Sequence, residues 1–213
     1  MIEDRWGARP VERRVEHFRG PIVAMRTDAV QFEGGTHDRD YVVHMGAVAI
    51  VAMDDDDRLL VIQQYRHPVA AHLWEIPAGL LDKPGEEPWT AAQRELAEEA
   101  GYLATDWSLL VDYATTPGGS TELLRIYLAR DLRQLAERPS TGEAEEQDMP
   151  VDFVALDAVC DAIFAGRVAS TSLVVGALAA REAAQRGWAD LRPADSPWPF
   201  RAHLADAERV FRR

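Results

Sequence analysis

The sequence predicts an α/β (α+β) sandwich, and three observations lead there. Apolar runs of strand length lie at 46–52 and 59–65. Helix formers bracketed by start and stop signals occupy 88–100 and 171–186. Strand candidates fall before, between and after these segments, with no internal repeat and no low-complexity tract. At 213 residues the chain has length for one domain plus an appendage, and enough to bury a sizeable core.

Residues 1–45 read as a strand-rich preamble. Ile22–Phe32 is extended in character, Glu33-Gly34-Gly35 is a turn signal, and Asp40–His44 restarts a strand. The segment is too small for a good core of its own, so it is expected to pack on a partner subunit or on its own main domain, 46–213. Gly46–Ala52 and Leu59–Tyr65 read as two buried strands joined by the acidic turn Asp54-Asp55-Asp56-Asp57, a solvated hairpin tip.

The helix at 88–100 has two candidate starts. Thr90 and Gln93 have capping-box spacing, and Pro88 suits a first helical position. Gly101 is its stop signal. Strands are expected around Trp107–Tyr113 and Leu123–Ala129, followed by a polar loop over 137–150. Val151–Val154 reads as a strand, 156–165 as a short helix, and Ser170-Thr171 as the start of a longer helix through Arg186. The tail, with Pro193, Pro197 and Pro199, reads as irregular.

Composition narrows the function. Thirty-six acidic against 23 basic side chains give a net charge of −13, a field that repels nucleic-acid backbones and anionic membranes. A small phosphorylated substrate remains compatible, because a divalent cation can mediate that contact. The single cysteine, Cys160, excludes an intramolecular disulfide framework and any multi-cysteine metal site, and its apolar helical setting points to packing. The opening Met1-Ile2-Glu3-Asp4-Arg5 lacks a signal-peptide pattern, and no apolar run reaches membrane-spanning length. A cytoplasmic protein is expected.

The most informative stretch runs from Pro77 to Gly101. Glu95 and Glu99 are four residues apart and Glu95 and Glu98 three, so all three carboxylates share one helix stripe. Like charges there repel and raise one another's proton affinity. A solvated acidic face is the ordinary fate of any one such pair. Hard divalent cations also want this arrangement, since Mg²⁺ is usually held by one or two carboxylates plus substrate phosphate. Arg94, embedded among the acids, is suited to holding Glu86 or Glu98 in place.

Gly79 and Glu86, seven residues, then Arg94-Glu95-Leu96-Ala97-Glu98-Glu99-Ala100-Gly101-Tyr102 resembles the Nudix box of the Nudix hydrolases. Two departures stand out. Six residues rather than five separate Gly79 from Glu86, and Tyr102 replaces an aliphatic residue. Gly46–Asp54, Gln64-Tyr65-Arg66-His67-Pro68 and Leu73–Gly79 are similar to bacterial, especially actinobacterial, members of the ADP-ribose pyrophosphatase branch. Pro117 matches a proline which that branch carries beyond the box.

The resemblance implies a mixed sheet between helices, with the N-terminal strands as an antiparallel appendage. It implies hydrolysis of ADP-ribose to AMP and ribose 5-phosphate with Mg²⁺ or Mn²⁺. Metal ligands would be Glu95 and Glu99, with Glu98 and the Ala78 carbonyl contributing. The general base would come from the loop Thr141–Asp148, where Glu145 and Glu146 are the candidates; Glu98 is a further catalytic candidate. Arg66 is a phosphate contact or a surface ion pair. A homodimer with exchanged N-terminal strands would bring Arg26 or Phe32 to the partner's site. Another nucleoside diphosphate derivative, an NDP-sugar or a dinucleotide, stays open as substrate. So does a non-catalytic nucleotide-sensing role, against which the intact box acids and the lack of a basic helix-turn-helix segment weigh. Single histidines such as His67 and His72 read as structural or solvent-facing, Trp74 and Ile76 as core, and Ser196–Phe200 as unrelated to the site.

Overall fold

A computed structural model describes residues 2–139, 149–201 and 210–211. Eleven strands and three helices occur among them. The first unit comprises Met1–Gly46, Ala114–Leu123 and Pro197–Arg213; the second comprises Ala47–Tyr113 and Leu124–Ser196.

In the first unit, β1 (Val11–Arg19), β2 (Val23–Phe32) and β3 (Gly35–His44) form an antiparallel sheet in that order. β3 begins five residues earlier than the sequence reading placed it. Phe32 pairs directly with Gly35, so the Glu33-Gly34 turn is a tight two-residue hairpin and pairing starts at once. β1 escaped notice because its nine residues, VERRVEHFR, are nearly all exposed and carry no apolar period. Ala24, Val43 and Val210 form a small buried cluster.

The second unit holds two sheets. One runs β10 (Val151–Ala155), β5 (Arg58–Arg66), β6 (Ala71–Glu75), all antiparallel. The other runs β11 (Arg192–Pro193), β8 (Tyr102–Ala114), β9 (Leu123–Gln134), β4 (Ala47–Ala52), β7 (Ala78–Leu80), with β4 and β9 parallel. β4 and β5 are therefore not a hairpin pair. Only Met53 and Leu59 bridge them; the strands then part into different sheets. The acidic turn between them is tied internally, because Asp54 Oδ1 accepts the N–H groups of Asp56 and Arg58.

β4 shows why the apolar run is continuous rather than alternating: all six residues are buried. Ala47, Ala49 and Val51 pack in the main core with Leu173, Ala177 and Ala180, and Val48, Ile50 and Ala52 are buried as well. The core is completed by α2 (Leu156–Phe164) and α3 (Thr171–Gln185). Gly176 of α3 lies so close to the sheet that a Cβ there would meet Val51 at 2.9 Å and Ile76 at 3.0 Å. Cys160 is buried in this core, where burial pushes its thiol up from its ordinary value. Among the described residues no helix is long and apolar enough to cross a membrane.

Candidate active site

The helix carrying the acids starts at Pro88, with Pro at the first position and Glu87 as its extended N-cap. The Thr90–Gln93 capping box does not form, because both residues already lie inside the helix. α1 spans Pro88–Glu95 and then widens into a π-helical turn, Leu96–Ala100, that ends on Gly101. Such turns are rare and concentrate at functional sites. Gly101 has φ +74°, a left-handed conformation that closes the helix at low cost only for glycine. Ala91, Ala92 and Leu96 are fully buried, so the helix is anchored by its apolar side.

The other side carries the carboxylates. Glu95 and Glu99 are 8% and 4% exposed, far from the solvated face that an acidic helix ordinarily presents. Arg94 binds three acids at once. Its Nε and Nη2 donate to the two Glu86 oxygens at 3.0 Å, and its Nη1 donates to Glu95 at 2.6 Å and Glu98 at 2.8 Å. These bonds, the pair with Glu86 first, hold the guanidinium well above its ordinary value. In return Arg94 holds Glu86 below the usual carboxylate range. Glu99 turns the other way and accepts the Ala78 N–H at 2.8 Å.

Gly79 explains the loop. A Cβ at that position would collide with the Glu95 carboxylate, so glycine there leaves the carboxylate its place against β7. The spacer before Glu86 turns at Gly85, which also has positive φ, and the Glu86 N–H bonds back to the Lys83 carbonyl at 3.1 Å.

Ala78, Gly79, Glu95, Glu98 and Glu99 line one cavity of about 360 Å³. Arg66, Gln64, Asp82 and Lys83 line it too. Of the two readings of Arg66, the ion pair is present. Arg66 faces the cavity, and its Nε and Nη2 donate to Glu75 at 2.8 and 2.6 Å. Gln64, Asp82 and Lys83 were missed. Gln64 had a signal, since it is two residues from Arg66 on one strand and so shares its face. Asp82 and Lys83 sit in a spacer where residue type carries no periodic signal.

The remaining candidates fall elsewhere. Pro117, Arg26 and Phe32 belong to the first unit. Arg26 pairs with Glu16 at 3.1 Å, and the Phe32 ring has the Arg9 and Arg39 guanidinium groups 4.8 and 5.0 Å from its centroid. Glu145 and Glu146 lie outside the described residues.

The acids on the cavity wall suit a hard divalent cation: Glu95, Glu98 and Glu99 offer carboxylate oxygens along one stripe. Among the described residues no three acidic, histidine or cysteine side chains are already placed to hold a metal ion. Arg94 holds Glu95 and Glu98, so an arriving cation competes with that ion pair.

Comparison with known proteins gives the family. The NUDIX domain pattern matches residues 43–170. The chain is 42% identical over 194 residues to an ADP-ribose pyrophosphatase of Mycobacterium tuberculosis, covering 91% of this chain and 92% of that one. It is 36% identical over 129 residues to an ADP-ribose pyrophosphatase of Bacillus subtilis, covering 60% and 69%. The crystal structure of an ADP compounds hydrolase superposes with a TM-score of 0.71 over 88% of this chain and 99% of that chain, at 24% identity, which speaks for the fold. On the matched domain and the extent of these identities, the chain belongs to the NUDIX domain family.

Proposed function

We propose that the protein is a metal-dependent pyrophosphohydrolase that cleaves the diphosphate of ADP-ribose to AMP and ribose 5-phosphate. The observation that carries this reading is the cavity wall itself: Glu95, Glu98 and Glu99 face one space, the first two held by Arg94 together with Glu86, and Arg66 and Lys83 line that space too. The ADP-ribose activity of relatives that match most of this chain supports the choice of substrate.

Glu95, Glu98 and Glu99, with the Ala78 carbonyl, would hold Mg²⁺ or Mn²⁺. Such an ion supplies charge neutralisation on the diphosphate and makes a nearby water more acidic. The protein's own groups do the rest. Arg66 offers a planar fork that matches phosphate oxygens, and Lys83 adds a point charge. Arg94 keeps Glu86, Glu95 and Glu98 apart and oriented despite their mutual repulsion. A carboxylate accepts the proton of the attacking water as the P–O–P bond breaks. Glu145, Glu146 and Glu98 are the candidates for that role. Pro117, and Arg26 or Phe32 from a partner subunit, would complete the substrate site in a cytoplasmic homodimer.

The test is incubation with ADP-ribose and Mg²⁺ or Mn²⁺, followed by chromatographic separation. Equal amounts of AMP and ribose 5-phosphate are expected; no AMP with either metal rejects the reading. A parallel panel of NDP-sugars and dinucleotides ranks the substrates. Light scattering should give a dimer, and a monomeric mass removes Arg26 and Phe32 from the site.

A further inference from the structure

We propose that Glu75 is a positioning residue, whose buried carboxylate holds the Arg66 guanidinium as a preset fork for a substrate phosphate. The inference rests on the diphosphate reading of the cavity above and adds to it a residue that does not line the cavity. Glu75 closes β6, paired with Ile62 of β5, and is only 4% exposed. Arg66 closes β5, and its side chain is 42% exposed. The pair is therefore asymmetric: the acid is sealed inside, and the base faces the cavity. The two bonds use Nε and Nη2, so this ion pair does not itself engage Nη1.

The Arg66 end of this pair is solvated, which limits what the pair adds to stability. The pair has a different use. An arginine side chain is rotamer-rich and loses that freedom when it grips a ligand. A bidentate carboxylate removes the freedom beforehand and aims the guanidinium plane. Glu75 is also three residues ahead of Ala78, and the intervening segment is fastened at several points. Ile76 is fully buried, the Pro77 carbonyl accepts the Ile50 N–H at 2.8 Å, and the Ala78 N–H is bound by Glu99. One short, immobilised segment thus ties the Arg66 fork to the carboxylate wall.

The experiment compares wild type, Glu75→Gln, Glu75→Asp, Arg66→Ala and the double variant Glu75→Gln/Arg66→Ala, using steady-state ADP-ribose hydrolysis and calorimetric binding of magnesium pyrophosphate. Glu75→Gln should raise KM about tenfold with kcat changed far less, and should weaken pyrophosphate binding in parallel. Glu75→Asp keeps the buried charge but shortens the reach, so it should fold normally and raise KM about threefold. Adding Arg66→Ala to Glu75→Gln should cost far less than Arg66→Ala alone, because one unit is broken only once. KM and pyrophosphate affinity within twofold of wild type in both Glu75 variants, or costs that simply multiply, would overturn the proposal. A fall in thermal midpoint with unchanged KM would assign Glu75 to folding alone and overturn it equally. If wild type binds pyrophosphate with the expected Glu75 dependence yet hydrolyses no ADP-ribose, the positioning role stands and the substrate reading fails.

Discussion

Two arginine–carboxylate clusters in this protein share their chemistry and differ in their arithmetic. Arg125 of β9 binds Asp112 of β8 at 2.7 and 3.1 Å, and Arg192 adds a second guanidinium at 3.1 Å. Arg125 and Asp112 side chains are only 2% and 4% exposed, and Arg125 also donates to the Ser196 carbonyl at 2.8 Å, which ties down the segment after β11. Around Arg94 the balance is reversed, with one base, three bonded acids and Glu99 beside them. The first cluster has no negative charge left over, so it is a fastening. The second is over-supplied with negative charge on a cavity wall, which costs stability unless a cation completes it.

This contrast can be broken most forcefully at Glu99. Glu99→Gln preserves shape and can still accept the Ala78 N–H, but it removes part of the surplus charge. We expect turnover to fall about a thousandfold with the thermal midpoint unchanged or raised. Retained turnover would sink the ligand assignment. Asp112→Ala should do the opposite. It leaves Arg125 buried without its partner, at a cost of about 3–5 kcal/mol by chemical denaturation, while the folded fraction keeps its KM. A change in KM would show that the two clusters do not divide stability and function as stated.

Gly79→Ala sharpens the comparison by disturbing the wall without touching its charges. The new methyl meets the Glu95 carboxylate and must displace it, so turnover should drop about tenfold with metal affinity weakened, as read by the metal dependence of the rate. The smallest effect concerns a third cluster, in the first unit. The Arg14 fork, bonded at 2.8 Å on both oxygens, holds Asp28 below its ordinary value of 3.8, against the opposing pull of burial. A carboxyl lowered in the folded state adds stability above its unfolded value and loses it as pH falls through the folded one. Denaturation curves should therefore steepen in pH dependence below pH 3.8, and Asp28→Asn should flatten that slope. An unchanged slope would mean Asp28 does not contribute.

The carboxylate helix was legible in the sequence because its spacing, its glycine stop and the Arg94 insertion are all local. The cavity was legible only in part. Gln64 and Arg66 share a strand face that alternation reveals, whereas Asp82 and Lys83 enter through a loop whose course depends on Gly85. The π-helical turn at Leu96–Ala100 left no mark, since its residues suit an α-helix equally well. β4 and β5 looked like a hairpin because they are close in sequence. β4 pairs instead with β7 and β9, and β5 with β10, contacts of long range that no local pattern encodes; the hairpin β5 does make is with the strand that follows it, β6. β1 was lost for a simpler reason: an exposed strand has no hydrophobic period to read.

The central claim is that the acidic surplus around Arg94 exists to gather divalent cations. Electron paramagnetic resonance of added Mn²⁺, recorded with wild type and with Glu99→Gln at equal concentrations, tests it most directly. Wild type should remove the spectrum of aqueous manganese, excess Mg²⁺ should restore it, and the variant should leave most of it in place. Aqueous manganese spectra of equal intensity with both proteins would contradict that claim.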